Sequence, residues 1–474
     1  MAQYLSPGVY VEEVPSAVKA IAGVGTSTAG FIGTVPDSIT VPVSSSLVRD
    51  EKVGKGDGTT AAFNLQRYPV VTTAGAFQVR VDGVQTSATL SNDDTNHVSK
   101  VTFTPAPLKD AVITGDFVYD YKTATFAVAA AGIPKLCTTF ADFKNSFGDF
   151  SLDAGQSMLA QAVYGFFNNG GTRCYVVRVT ADTQIATALE KFAAIDEIAI
   201  VAAPGMVANT VRSEIVDHCV NTADRFAILD CAESVETGNQ LDLTLLDPSN
   251  SSNILPANSD YAGVYFPWIQ VFDPAAKTQN PLATGLGYVP PSGHIAGIYA
   301  RVDTQRGVHK APANEVVLGA LDLKYQISKA QQDGLNPQGV NVIRNLNGNI
   351  RVWGARTVGG NANADLKYIN VRRTLLFLRE SIDEGTQWVV FEPNTPGLWQ
   401  KITRNVTAFL TNVWRSGALF GTTPQEAFYV KCDAETNPPE LREIGQVVTE
   451  IGVAIVRPAE FVIFRISQFT AATQ

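Results

Sequence analysis

The sequence predicts a multidomain chain of mixed α/β and α+β class. Three observations carry this reading. Strand and helix patterns alternate in βαβα order through residues 174–229, short alternating apolar runs separated by turn residues fill 42–122, and two long helical patterns precede two β-branched runs near the C-terminus. A βαβα order argues for a largely parallel sheet with helices on its faces.

The N-terminal segment Val9, Tyr10, Val11, Glu12, Glu13 and Val14, introduced by Ser6-Pro7-Gly8 and closed by Pro15-Ser16, reads as a strand. Gly30-Phe31-Ile32-Gly33-Thr34 reads as a short buried strand. Residues 42–122 then read as an all-β module of about six strands, inserted into a larger domain. Ala154–Asn168 has helical period and a Gly-Gly stop after Asn169. Strands at Cys174–Val179, 198–202 and 226–229 alternate with helices at Ile185–Ala193 and 207–221, and 264–271 supplies a further strand. Residues 280–314, rich in Pro and Gly, are expected to wrap the surface or lead to the next domain. A hairpin is expected over Asn345-Leu346-Asn347-Gly348, followed by a helix at 365–383, a strand at 388–391 and a helix at 397–416. The domain bounds that follow are an arm at 1–20, an α/β domain at 21–41 and 123–285, the module at 42–122, an α+β domain at 286–458 and a second arm at 459–474.

The two β-branched runs at the end organise the rest. Val447, Thr449, Ile451, Val453 and Ile455 alternate with other residues, the period of a strand. Phe461, Val462, Ile463, Phe464, Arg465 and Ile466 form a second strand, and an apolar strand at a chain end is an edge that needs a partner. The segments at 16–23 and 457–460 are expected to be flexible connections.

Composition narrows the function. Charged residues make up 17% of 474 residues and the net charge is −9, which argues against non-specific nucleic-acid binding. Neither a basic leader nor a run of about 18 apolar residues is visible, so membrane insertion is not expected and a protein made and kept in a cytosol is. The five cysteines, Cys137, Cys174, Cys219, Cys231 and Cys432, have no C-x-x-C spacing and read as buried thiols, with no metal and no cofactor expected.

Chemistry was sought by motif. H-E-x-x-H, G-x-S-x-G and Walker A are absent from the sequence. The Gly54-Lys55-Gly56-Asp57-Gly58 cluster has Gly56 where a magnesium-holding Ser or Thr would stand. Gly25-Thr26-Ser27-Thr28-Ala29 looks superficially like the nucleophile segment of subtilisin-like proteases, but His97, His218, His294 and His309 all follow Ser27, against that family's order. No catalytic residue is assigned, and a non-enzyme is expected. On the 397–416 helix, Leu398, Ile402, Val406, Phe409 and Val413 form an apolar stripe, while Lys401, Arg404 and Arg415 share a basic face suited to an acidic partner.

Several motifs, in order along the chain, resemble the contractile tail sheath proteins of bacteriophages and related injection systems. They are Tyr4-Leu5-Ser6-Pro7-Gly8-Val9-Tyr10-Val11-Glu12-Glu13, the stretch 167–179, Val352-Trp353-Gly354-Ala355-Arg356-Thr357, Tyr368-Ile369-Asn370-Val371-Arg372-Arg373, Phe391-Glu392-Pro393-Asn394, Gly417-Ala418-Leu419-Phe420-Gly421 and Pro458-Ala459-Glu460-Phe461. The resemblance implies a subunit of hexameric rings stacked helically around an inner tail tube, with baseplate and tail terminator proteins as further partners. It implies a subtilisin-like but non-catalytic middle domain, an outward-facing module at 42–122, an inner C-terminal domain whose sheet is completed by neighbours' arms, and assembly in the bacterial cytoplasm. On that reading 9–14 and 461–466 are the exchanged arms, 447–455 is the acceptor and the basic helix faces the tube. A static tube or coat protein, and an α/β hydrolase-like enzyme with a β accessory domain, remain the alternatives.

Overall fold

The computed structural model describes residues 20–465, so the expected strand at 9–14 and Ile466 lie outside the described residues. The described residues form two units. The larger comprises Gly25–Arg373 with the residues from Pro458; the smaller comprises Thr374–Arg457 with the residues before Gly25.

The larger unit is built on a nine-stranded sheet. Six parallel strands form its centre, in the spatial order Val340–Leu346, Ala262–Phe266, Phe226–Asp230, Ile200–Ala202, Ala29–Thr34 and Cys174–Val179. Antiparallel strands close both sides, Lys135–Cys137 at one and Asn349–Val352 then Glu315–Val316 at the other. The central strands are buried along almost their whole length, which is why they read in the sequence as continuous apolar runs rather than alternating ones. Helices Ile185–Ala193 and Asn209–Thr222 bury Ile185, Leu189, Phe192, Val211 and Ile215 in the core that covers the sheet.

Helix Ser292–Arg306 corrects the expectation of a surface wrap at 280–314. Ten of its residues are buried, and it packs against helix Ala154–Asn168 through glycines. A Cβ at Gly293 would lie 2.3 Å from the Ala162 Cα, and one at Gly297 would lie 2.4 Å from the Phe166 carbonyl oxygen. The glycines that suggested a loop are there because two helix backbones meet.

The expected hairpin forms, with Asn347 at φ 53° and Gly348 at φ 79° in the turn. Its first strand also joins the parallel sheet through Val264↔Val340, a pairing distant in sequence. The domain boundary drawn at 286 therefore moves to Arg373/Thr374. The expected strand 264–271 is divided at Pro267, which has no N–H to donate; Ile269–Phe272 belongs to a separate three-stranded sheet.

Between Ile39 and Phe126 the chain runs out and back along two long antiparallel strands, Ser38–Lys55 and Val112–Ala127. With five shorter strands they form two small sheets around Leu65, Val70, Val79, Val101, Phe103, Ile113 and Phe117.

In the smaller unit, Leu378, Leu398, Trp399, Ile402, Val406, Phe409, Leu410 and Val413 share one core. The expected strand at 388–391 is instead a single 3-10 turn, Gln387–Val389, followed by a fully exposed Phe391 at φ 67°. All five cysteines are buried thiols.

Candidate assembly surfaces

Helix Pro396–Arg415 begins where Thr395 accepts a hydrogen bond from the Leu398 N–H and Pro396 occupies the first turn. Its predicted stripe, Leu398, Ile402, Val406, Phe409 and Val413, is buried, which turns Lys401, Arg404 and Arg415 to the exposed side. Among the described residues none of these three cations lies within 4.0 Å of a carboxylate.

The acceptor run is shorter than its alternation suggested. Only Glu450–Val453 pairs in a ladder, antiparallel to Phe428–Lys431 in the register Phe428↔Val453 to Lys431↔Glu450, and Ile455 bridges to Leu419. Buried Asn437 explains the early end: its amide donates to the Val448 carbonyl (3.0 Å) and its oxygen accepts from the Val448 N–H (2.7 Å). A side chain thus occupies backbone groups that a ladder would use. Val447, Ile451, Val453 and Ile455 still pack on the core of the smaller unit, with Thr449 half-buried. The sheet has two strands, so both outer edges lack a ladder partner among the described residues.

The C-terminal run emerges as an exposed apolar segment. Phe461, Val462, Ile463 and Phe464 are 68–85% exposed, and with Arg465 they join no sheet among the described residues. The residue before them is fixed. Glu460 accepts from Arg356 Nε on Oε1 (2.8 Å) and from Arg356 Nη2 on Oε2 (2.7 Å), from Asn336 Nδ2 (2.7 Å) and from the Tyr368 hydroxyl (2.9 Å). Burial opposes its ionisation, but these four hydrogen bonds and the Arg356 charge outweigh burial and hold the carboxyl below its ordinary range. The expectation of a flexible connection at 457–460 is corrected at its last residue.

Two buried polar clusters sit where catalysis could have been sought. Asp230, at the end of a parallel strand, accepts from the Ser292 N–H (2.9 Å), the Ser292 hydroxyl (2.7 Å) and the Gly205 N–H (3.2 Å), and burial pushes its carboxyl up to about 6. His294 is buried two residues on, and burial lowers it to about 4. Its Nδ1 has no hydrogen-bond partner among the described residues and faces Gly165, so the Ser292 hydroxyl is bonded to the Asp230 carboxyl and not to this imidazole. In the second cluster Asp303 is gripped by Arg373 (2.9 and 2.6 Å) and by the Thr26 hydroxyl (2.6 Å), so the Gly25–Ala29 segment ties elements together. Among the described residues no group of three or more His, Cys, Asp or Glu side chains could hold a metal, and no helix is long and apolar enough to cross a membrane.

Residues 179–358 match the family model of the phage tail sheath protein central domain, and residues 361–469 match that of the phage tail sheath C-terminal domain. The chain belongs to the phage tail sheath family. The tail sheath protein of Burkholderia phage BcepMu is 26% identical over 211 residues, 43% of this chain and 42% of the relative. That of Vibrio phage KVP40 is 27% identical over 190 residues, 39% of this chain and 27% of the relative. These matched stretches span less than half of either relative. The fold is shared along the whole length with the contracted sheath of an extracellular contractile injection system (TM-score 0.64, 22% identity, 99% of each chain). It is shared equally with the contracted helical sheath of the anti-feeding prophage (TM-score 0.63, 23% identity, 98% of this chain and 99% of the other).

For this sheath protein, sequence reasoning named the apolar segment 461–464 and the basic helix but missed Arg356, Asn336 and Tyr368 as the residues that hold Glu460 just before that segment. Two of them stand inside the sheath-like motifs, Arg356 three residues after Trp353 and Tyr368 two residues before Asn370. Their convergence on Glu460 joins positions separated by 92 to 124 residues, which no local pattern reports.

Proposed function

We propose that the chain is the structural subunit of a contractile sheath. It polymerises as stacked hexameric rings around an inner tube and shortens from a metastable extended state to drive that tube through a target cell envelope. The observation that carries the reading is the arm: in a chain of the sheath family, an apolar segment at 461–464 stands exposed, and the same chain contains a two-stranded sheet with open edges. Adding a strand to a neighbour's sheet would form about four ladder hydrogen bonds at a net ~0.5–1.5 kcal/mol each, besides burying the aromatic side chains. The segments 9–14 and 461–466 are the exchanged arms and 447–455 the acceptor.

The larger unit serves as a rigid body with a subtilisin-like layering and a structural role. Residues 42–122 form the inserted, outward-facing module. Lys401, Arg404 and Arg415 face the acidic surface of the inner tube in the extended state, and release of that contact accompanies contraction. The assembly sits in a phage tail or injection-system sheath, is built in the bacterial cytoplasm, and ends on baseplate and terminator proteins; a baseplate structure of the anti-feeding prophage contains a chain of this fold. Contraction needs no nucleotide if the extended lattice is the less stable of two packings.

Negative-stain microscopy of the purified protein, alone and with its tube protein, tests this. Hollow striated tubes, wider alone than around the inner tube, are expected. Lys401→Glu with Arg404→Glu should still give the wide form and lose the narrow one. Dispersed particles under both conditions would overturn the reading.

A further inference from the structure

The arm's root is held more firmly than a connecting segment needs. Both Glu460 oxygens carry two donors, and the donors come from three separate places in the larger unit: Asn336 after helix Lys329–Leu335, Arg356 after strand Asn349–Val352, and Tyr368 just before helix Ile369–Thr386. Arg356 is itself buried and locked from behind. Its backbone N–H donates to Asn341 Oδ1 (2.7 Å), and Asn341 Nδ2 donates to the Arg356 carbonyl (2.8 Å) and to the Val264 carbonyl (3.2 Å). Asn341 and Val264 lie on adjacent parallel strands of the nine-stranded sheet. A path of hydrogen bonds therefore runs from the first residue before the arm into the parallel strands of the nine-stranded sheet. Among the described residues, Glu460 is the last whose side chain makes a hydrogen bond.

We infer that Glu460 is a positioning residue for strand exchange: clamped by Arg356, Asn336 and Tyr368, it fixes the point from which the C-terminal arm leaves its subunit and passes tension on that arm into the nine-stranded sheet. The inference rests on the sheath reading above. With the clamp closed, free chain begins at Phe461. With it open, residues 458–460 are released as well, so roughly three residues of slack are added. The effective concentration of a tethered strand falls as about the −3/2 power of tether length. Lengthening the tether from about one residue to about four lowers it nearly tenfold. A bidentate guanidinium–carboxylate pair fixes direction as well as distance, so losing it also loosens the register in which the arm meets its acceptor.

Glu460→Gln keeps the side chain's shape and an acceptor for Arg356 but removes the charge. The variant is compared with the unaltered protein in two measurements: the critical concentration for tube formation, by sedimentation, and disulfide cross-linking between Cys introduced at Glu450 and Cys introduced in turn at Val462, Ile463 or Phe464. The expected result is a critical concentration raised about tenfold, with cross-links spread over all three arm positions where the unaltered clamp favours one. An unchanged critical concentration, or a lowered melting temperature with the cross-linking pattern unchanged, would overturn the proposal, since a merely structural ion pair would do the latter. Should Glu460→Gln fail to fold, Tyr368→Phe removes one donor and leaves the ion pair. A rise of about two- to threefold then supports the clamp and no rise overturns it. Failure of the unaltered protein to form tubes would break the sheath reading and this inference together; tubes from both proteins at equal concentration would break only this one.

Discussion

At the scale of single residues, the larger unit spends its buried charges on tying elements together. Asp303 and Arg373 are both buried and joined at 2.6 Å, with Arg373 also donating to the Thr26 carbonyl (3.0 Å) and lying over the Tyr299 ring. Asp230 differs because no cation is bonded to it; three neutral donors hold it, and burial lifts its carboxyl from 3.8 to about 6. A raised acid pKa means that the folded state binds a proton more tightly than the unfolded one. Stability from this group is therefore fully present below pH 3.8, declines as pH rises towards about 6 and is level above that. The interval corresponds to roughly 3 kcal/mol. Urea unfolding between pH 4 and pH 7.5 should show Asp230→Asn losing about 2–3 kcal/mol less stability than the unaltered protein over that range. Parallel pH profiles would contradict the assignment.

At the scale of elements, the contact between Ala154–Asn168 and Ser292–Arg306 decides how tightly the larger unit closes. Gly293 and Gly297 sit against backbone atoms of the facing helix, and Gly165 sits against the His294 ring. The end of helix Ala154–Asn168 is fixed besides, because Asn169 is bonded to residue 318 twice, donating to its carbonyl (3.0 Å) and accepting from its N–H (2.9 Å). Gly297→Ala should therefore cost about 1–3 kcal/mol in denaturant unfolding, although alanine favours helix at an ordinary position. A change within about 0.5 kcal/mol would mean that the helices separate freely. The same pair of helices shows why 280–314 misled: a helix buried on all sides has no amphipathic period to read. The 388–391 run misled for the opposite reason, since Val390 and Phe391 are apolar yet exposed and pair with no strand among the described residues.

At the scale of the whole molecule, the β-module is joined to the rest of its unit by two paired strands, with Thr40↔Thr125, Val41↔Ala124 and Pro42↔Thr123 at the neck and the first register shift directly after Pro42. Its core residues are its own, and its hydrogen bonds to the rest of the unit include Ser45 to the Thr278 carbonyl and Asn280 to the Gly75 carbonyl (2.9 Å). Replacing 43–122 by an Asn-Gly turn should leave a soluble protein whose tubes form at an unchanged concentration, checked by circular dichroism and sedimentation. An insoluble product would show that the module supports the nine-stranded sheet rather than decorating it.

By itself the sequence determined those elements whose burial is uniform or strictly periodic. The strands at 174–179 and 226–230 and the helices at 154–168, 185–193 and 396–415 are set by local hydrophobic pattern and caps. Only tertiary structure decided that Val340 pairs with Val264, that a glycine-rich stretch is a buried helix, that Asn437 cuts the acceptor strand short, and that Arg356, Asn336 and Tyr368 meet at Glu460. Each of these depends on groups far apart in the chain finding one another, and long-range pairing leaves no periodic trace in either partner's own segment.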